Sequence, residues 1–132
     1  MKAGLSQRAV RVGDQIQREI AQLLTTSVKD PRLAGVTVTG VEMTPDLSIA
    51  TVRYVCHGGL ANEAETLRGF ASVGGFLRRA IAERLDIFKA PTLRFAYDRA
   101  FEEGARLSAL IETARAEDQR ILGRSSDVDL AS

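Results

Sequence analysis

The chain has 132 residues, of which 45% are hydrophobic and 27% are charged, as in soluble globular domains rather than disordered or membrane proteins. Its net charge is +1, but residues 1–100 hold 14 Lys and Arg against 10 Asp and Glu, whereas residues 101–132 hold 4 against 7. No stretch approaches the ~20 apolar residues of a membrane-spanning helix, and the first ten residues lack the apolar run of a secretory signal. We therefore expect a cytoplasmic protein with no membrane association.

Residues 5–28 have the periodicity of an amphipathic helix. Winding the chain at ~100° per residue collects seven apolar residues in one arc: Leu5, Ala9, Val12, Ile16, Ile20, Leu23 and Leu24. A second, narrow arc, which we call the basic stripe, holds Arg8, Arg11, Gln15, Arg18, Gln22 and Lys29. The stripe is either a solvated face or part of a cationic surface. We expect the helix to end near Lys29, because Pro31 has no amide hydrogen and disfavours helical geometry at Asp30.

Two strands follow this helix. The segment "VTVTGVEM" alternates apolar and polar residues, but its phase slips at Gly40, which indicates a β-bulge. The residues "TPD" supply a turn before "LSIATVRYVC", which has the composition of a second strand. The pattern predicts an antiparallel hairpin.

Two helical segments are predicted on either side of Gly74 and Gly75, and the segment "TLRFAYD" after Pro91 alternates as a third strand. A helical crossover between the second and third strands predicts that these two strands, if adjacent, run parallel. The predicted order is therefore αββααβ with a mixed sheet. Residues 102–117 form a further predicted helix, and we expect a domain over residues 1–117 and a flexible tail over 118–132.

The sequence contains few residues that could form a catalytic or metal-binding site. Cys56 and His57 are the sole cysteine and histidine, and as neighbours on a strand they point to opposite faces, which disfavours a nucleophile and base pair. One histidine and one cysteine are too few for a zinc site. A carboxylate-only magnesium site remains arithmetically possible from four aspartates near element ends, although turns and caps explain them more simply: Asp30, Asp46, Asp86 and Asp98.

The stretch "SVGGFLRR" lacks the spacing of either glycine-rich nucleotide-binding motif, and its glycines follow a helix rather than a strand. Two alternatives remain for it. It is a helix break with two solvated arginines, or an anion site at a helix N-terminus where Arg78 and Arg79 add permanent positive charge.

The order αββααβ resembles the type II KH-like fold, an α+β RNA-binding architecture. Several stretches also resemble one family, the ribosome-binding factor A proteins of bacteria. The most specific are "KDPRL", "TPDL" and "PTLRFAYD", and the longer ones are "RVGDQIQREIAQLL", "VKDPRLAGVTVTGVEMTPDLSIATVRY", "GGFLRRAIAERLDIFKAPTLRFAYD" and "EEGARLSALI". Together they cover most of residues 8–115 in the order of the family.

The resemblance implies a non-enzymatic factor that binds the small ribosomal subunit and its ribosomal RNA during late maturation. It also implies help in processing the 5′ end of that RNA and importance for growth in the cold. Members of the family have an Ala-x-Gly helix kink in place of the GxxG loop of ordinary KH domains. This chain has Val73, Gly74 and Gly75 there, so the glycine matches and the alanine does not.

If the resemblance holds, the basic stripe and the arginines after Gly75 could form one cationic surface for RNA phosphates. The candidate RNA-binding residues are Arg8, Arg11, Arg18, Lys29, Arg32, Arg78, Arg79 and Lys89. We expect a monomer that needs no cofactor or metal and binds no small-molecule substrate. The alternative is a protein-interaction module, in which the apolar arc of residues 102–117 and the hairpin edge bind a protein partner and RNA binding is incidental. A carboxylate-metal nuclease is a third possibility.

Overall fold

The computed structural model describes residues 6–85 and 89–131, with side chains described as far as Gly123. Its elements follow in the order α1 (Gln7–Thr26), β1 (Thr37–Met43), β2 (Ile49–Val55), α2 (Glu63–Leu85), β3 (Thr92–Tyr97) and α3 (Arg99–Ala131). The chain divides into two compact units, Met1–Arg99 and Ala100–Ser132, and the sheet belongs to the first. Leu5 and Asp86, which the sequence analysis singled out, lie outside the described residues.

The three strands form one mixed sheet in the order β1-β2-β3. The strands β1 and β2 are antiparallel, whereas β2 and β3 are parallel, which confirms both predicted pairings. The register of the hairpin shifts between Val38 and Gly40, as the slipped pattern at Gly40 predicts. The hydroxyl of Thr39, at this bulge, donates a hydrogen bond of 2.6 Å to Oδ2 of Asp98, just beyond β3.

Both α1 and α2 pack on one face of the sheet. One buried cluster joins Ile16 and Ile20 of α1 to Ile81 of α2 and to Ala50 and Val52 of β2. A second cluster is rich in aromatic rings and consists of Leu23, Leu33, Tyr54, Phe70, Leu77 and Tyr97. Strand residues of one parity are therefore buried under the helices, while the other parity of β2 is half-buried. This arrangement is the KH-like α+β fold that the resemblance implies.

The first helix ends earlier than predicted, at Thr26 rather than near Lys29. The backbone N–H groups of Ser27 and Val28 both donate to the carbonyl of Leu23, at 2.9 and 3.0 Å, and this closes the last turn. Lys29 therefore lies beyond the helix, and its predicted place in the basic stripe is wrong. The stop at "DPRL" is confirmed, since Pro31–Leu33 form a 3-10 turn capped by the side chain of Asp30.

The two helices predicted around the paired glycines are one continuous helix, α2, so the prediction of a break there is wrong, whereas the kink at Val73, Gly74 and Gly75 stays a prediction. Two glycines weaken a helix by about 1 kcal/mol each relative to alanine. Residues on both sides of them, including Phe70, Leu77 and Ile81, are buried in the core, and this packing holds the helix together across Gly74 and Gly75.

The helix α3 continues past residue 117, where the sequence predicts that the domain ends, as far as Ala131. Glycine and serine near its end have weak helix propensity, which favoured the interpretation as a tail. The flexibility of residues 118–132 stays a prediction, and Ser132 lies outside the described residues.

Candidate nucleic-acid interface

The helix α1 lies between β1 and α2. On one flank, Nε2 of Gln17 donates a hydrogen bond of 3.3 Å to the carbonyl of Val38 in β1. On the other flank, Glu19 forms an ion pair of 2.9 Å with Arg84 of α2. At ~100° per residue, Arg8 lies at nearly the same angle around α1 as Glu19, slightly farther from the buried face. The basic stripe therefore begins on the flank of α1 that faces α2.

Three of the candidate cations line one cleft of about 820 Å³, which we call the cationic cleft. Arg8 comes from α1, Arg78 from α2, and Lys89 from the segment that leads into β3. Nη2 of Arg78 donates a hydrogen bond of 3.2 Å to the carbonyl of Ala90, which fixes the guanidinium beside this segment. The cleft is also lined by Val12, Met43, Asp46, Leu47, Ser48, Ile49, Ala90, Pro91 and Thr92.

Within residues 6–85 and 89–123, these three cations have no carboxylate partner at ion-pair distance. Among the described residues, neither Arg8 nor Arg78 nor Lys89 forms an ion pair with a carboxylate. All three side chains are exposed. Three unpaired cations around one concave surface concentrate positive potential, and phosphate groups are the natural ligands for such a site.

The other candidates on helices lie outside the cleft. Arg11 and Arg18 are exposed on α1, on the solvent side of the basic stripe. Arg79 is exposed on α2, and its Nη1 lies 3.5 Å from the position that a Cβ on Gly75 would take, so the side chain folds back along the helix. Lys29 lines a different cleft, between the end of α1 and the start of β1. The structure thus brings together three of the eight predicted residues.

Arg32 is engaged by a carboxylate. Its Nε and Nη2 donate to Oδ1 and Oδ2 of Asp30 at 3.0 and 2.7 Å. These hydrogen bonds hold the pKa of Asp30 below its usual value and raise the pKa of Arg32. Because the guanidinium already has an anionic partner, Arg32 is a weaker phosphate ligand than the residues of the cationic cleft.

Asp46 is a residue of the cleft that the sequence analysis noted only as a turn or metal candidate. Its Oδ1 accepts hydrogen bonds from the hydroxyls of Thr44 and Ser48, both at 2.7 Å, and from the N–H of Ser48 at 3.1 Å. These bonds lower the pKa of Asp46 to about 2, so the carboxylate is ionised at neutral pH. The pattern Thr-x-Asp-x-Ser was the available signal, but it identifies the turn without placing it beside the cations.

The sole cysteine and histidine lie at the end of β2. Sγ of Cys56 donates to the carbonyl of Gly59 at 3.3 Å, and the side chain of His57 is exposed. In the described part of the chain, no group of three or more His, Cys, Asp or Glu side chains could hold a metal ion. None of the helices in residues 6–85 and 89–131 is long and apolar enough to cross a membrane.

Comparisons with known proteins agree with this fold. Residues 8–111 match the model of the family described as ribosome-binding factor A. The ribosome-binding factor A of Thiobacillus denitrificans is 46% identical over 113 residues, which cover 86% of this chain and 91% of the relative. That of Thioalkalivibrio sulfidiphilus is 47% identical over 112 residues, which cover 85% of this chain and 87% of the relative.

Two structures of the factor from Thermus thermophilus, one of them a fitted homology model, have the same fold. The crystal structure of ribosome-binding factor A superposes with a TM-score of 0.60 at 26% identity, covering 67% of this chain and 94% of the other. A homology model of that factor, fitted into a cryo-EM map of its 30S complex, gives a TM-score of 0.57 at 27% identity and covers 69% of this chain and 96% of the other. The chain therefore belongs to the ribosome-binding factor A family.

Proposed function

We propose that this protein is a non-enzymatic assembly factor that binds the small ribosomal subunit and its ribosomal RNA in the cytoplasm during late maturation. The observation that carries the proposal is the cationic cleft, where unpaired cations from three separate segments converge in a member of this family. The relative fitted into a 30S map supports the same partner.

The chemistry of the cleft favours binding to the RNA backbone. Arginine and lysine contacts to phosphates fix the position of a protein on RNA and make its affinity depend strongly on salt. Extensive base stacking is disfavoured, because the chain has no Trp and the rings of Tyr54, Phe70 and Tyr97 are buried in the core, which leaves Phe76 and Phe101 as the exposed rings of the described residues. Recognition therefore relies mainly on the shape of the RNA in the assembled particle.

Charge reversal in the cleft tests this proposal. We expect the variant Arg8→Glu, Arg78→Glu, Lys89→Glu to lose co-sedimentation with small subunits at moderate salt. Because each lost phosphate contact removes about 0.7 to 0.9 from the slope of log K against log salt, the slope should fall by roughly 2 to 3. The measurement is the bound fraction across a salt series.

The matched control reverses three arginines of α3, Arg106, Arg115 and Arg120, and changes the net charge by the same amount. The control should bind as the unchanged protein does. Circular dichroism and thermal unfolding establish that both variants are folded. If the cleft variant binds normally, the cationic cleft is not the RNA-binding surface.

The finer parts of the proposal concern maturation. We infer that the protein assists processing of the 5′ end of the small-subunit RNA and supports growth in the cold. In a bacterium that lacks its own member of the family, this chain should restore growth at low temperature and the removal of the extra 5′ nucleotides. The cleft variant should restore neither, and full restoration by that variant would contradict a role for the cleft.

One observation favours the second candidate function, a protein-interaction module. The helix α3 carries apolar side chains that are more than half exposed, among them Leu107, Leu110 and Ile111. Such a face is typical of helices that dock on another protein. Replacing these three residues by Ser should leave binding to small subunits intact if RNA is the main partner, and should abolish it if a protein contact through α3 dominates.

A further inference from the structure

The cationic cleft contains more than phosphate ligands. Beside its cations it has an apolar wall, to which Val12, Leu47 and Ile49 contribute, and the carboxylate of Asp46. Its volume of about 820 Å³ lies in the range of roughly 300 to 1,000 Å³ that is typical of small-ligand sites. A surface that binds only phosphates has no use for an apolar wall or for an anion beside it. The combination indicates a ligand with a charged part, a flat apolar part and hydrogen-bond donors.

Asp46 has an acceptor atom available for such a ligand. Three hydrogen bonds from Thr44 and Ser48 all reach Oδ1, and among the described residues none reaches Oδ2. The turn is also fixed to the sheet, because the N–H of Thr92 donates to the carbonyl of Ser48 at 2.9 Å. Asp46 is therefore an ionised residue of the cleft whose Oδ1 is held by the turn, and its Oδ2 accepts no hydrogen bond from the described residues.

Among the four RNA bases, guanine fits this acceptor best. Its N1–H and N2–H donors are adjacent, with no acceptor between them, whereas the donor of adenine, cytosine or uracil lies directly beside a ring or carbonyl acceptor that a carboxylate repels. Unpaired bases in RNA loops expose this edge, and proteins read it there.

We propose that the cationic cleft binds one unpaired guanosine nucleotide of RNA, with its phosphate near Arg8, Arg78 and Lys89 and its base against the apolar wall. Oδ2 of Asp46 accepts the N1–H and N2–H of the guanine. The inference rests on the proposed RNA-binding function and adds a base preference to it. The cations supply affinity for any RNA, and Asp46 supplies the discrimination.

Four fluorescent pentaribonucleotides, UUGUU, UUAUU, UUCUU and UUUUU, test the inference by anisotropy titration at one fixed salt concentration. The full chain should bind UUGUU roughly tenfold more tightly than the others, since a good pair of base contacts discriminates by roughly 5- to 150-fold. In the variant Asp46→Asn, the carboxamide oxygen can keep the bonds from Thr44 and Ser48, which places its NH2 group where Oδ2 was. Donor then faces donor, so the preference for guanine should vanish, while UUUUU should bind at least as tightly as before because the cleft loses a negative charge.

The matched pair Arg78→Gln and Arg79→Gln separates phosphate binding from base reading. Arg78→Gln should weaken binding of all four probes by the same factor, and Arg79→Gln, outside the cleft, should weaken none. Equal affinity of the unchanged chain for all probes overturns the inference. A guanine preference that survives in Asp46→Asn overturns it as well. Both of these results would leave binding to small subunits, and therefore the proposed function, intact. The proposed function would instead be contradicted if the unchanged protein failed to bind small subunits.

Discussion

At the scale of single residues, Gly13 is the point where the backbone of α1 lies directly against β1. A Cβ added at Gly13 would lie 2.7 Å from the carbonyl oxygen of Val41 and 3.4 Å from Cγ of Met43. The first contact is with backbone, which cannot rotate away. The absence of a side chain at Gly13 therefore sets the distance between the helix and the sheet.

Gly13→Ala should destabilise the protein. Overpacking costs about 1 to 3 kcal/mol, and alanine gains roughly 1 kcal/mol over glycine inside a helix. We expect a net loss of up to about 2 kcal/mol in the free energy of unfolding, measured by urea titration. An unchanged or higher stability would show that α1 can move away from β1 at little cost.

Tyr54 is a second residue with a measurable consequence. Its ring packs edge-on against Phe70 and Tyr97, with centroids 5.1 and 5.4 Å away. Its hydroxyl is buried and has no hydrogen-bond partner in the described part of the chain. Burial raises the pKa of Tyr54 to about 12, because the phenolate would lose its hydration.

Tyr54→Phe should raise the free energy of unfolding by about 1 kcal/mol at neutral pH, since it removes an unsatisfied polar group. The raised pKa in the folded state adds a pH dependence. The unfolded chain ionises near the ordinary value of 10, so stability is retained below pH 10 and falls as the pH rises toward 12. Urea titrations from pH 7 to 11 should show a steeper alkaline decline for the unchanged protein than for Tyr54→Phe. A less stable variant at pH 7 would reveal a partner for the hydroxyl.

These residues show which features could be predicted from the sequence and which depend on contacts formed only in the folded protein. The apolar arc correctly placed Ile16 and Ile20 in the core, because helical periodicity reports burial directly. Gly13 gave no signal, because its role depends on a carbonyl that is 28 positions away in the chain and close only after folding. The ion pair between Arg32 and Asp30 was not predicted either, because the sequence of this turn indicates only the end of a helix.

At the scale of elements, the continuity of α2 through its paired glycines is the main difference from the expectation. A Cβ at Gly74 would meet no atom within 4 Å, so packing does not require glycine there. Val73, which differs from the alanine of the family, is half-buried and packs on the aromatic cluster. The β-branched residue is thus accommodated by the core, although the two glycines still reduce the propensity of the segment for helix.

Gly74→Ala should stabilise the protein by about 0.5 to 1 kcal/mol, because alanine lowers the entropy cost of helix formation and meets open space. Thermal unfolding, with Gly13→Ala as the opposite case on α1, measures the difference. Destabilisation by Gly74→Ala would indicate that α2 requires the freedom of glycine at this point. If Gly74→Ala were more stable but bound small subunits less well, Gly74 would be needed for binding rather than for stability.

The elements themselves were largely predictable. The bulge at Gly40 followed from the slipped alternation, and the parallel pairing of β2 with β3 followed from the intervening helical stretch. The break at Gly74 was wrong because local propensity was overridden by the burial of Phe70 and Leu77 on either side. The periodicity of the sequence alone does not predict that Arg8, Arg78 and Lys89 lie together, because this depends on the topology of the fold. Only the KH-like resemblance suggested that topology.

At the scale of the whole molecule, the two compact units differ in how they are stabilised. The unit Met1–Arg99 contains both buried clusters. In α3, none of the described side chains from Arg99 to Gly123 is buried. A helical stretch with no buried side chain depends largely on its intrinsic propensity, which is marginal in water.

Hydrogen exchange should therefore separate the units. Backbone amides of α1 and of β2 should exchange only through global unfolding, whereas those of α3 should exchange faster by at least about tenfold through local fraying. Exchange followed by mass spectrometry on peptides from each element provides the measurement. Equal protection in α3 and α1 would show that α3 is held by contacts of its own.

The crossover through α2 also sets an order for folding. Met43 and Ala50, which pair in the hairpin, are joined by a short turn, while the partners Ile49 and Thr92 are separated by the whole of α2. Closing a longer loop costs more entropy, so the hairpin can form before β3 joins the sheet. On a translating ribosome the hairpin is synthesised first, and Lys89 reaches Arg8 and Arg78 only when the last strand docks. The cationic cleft is thus completed only when β3 has joined the sheet, and a nascent chain that lacks β3 does not present it.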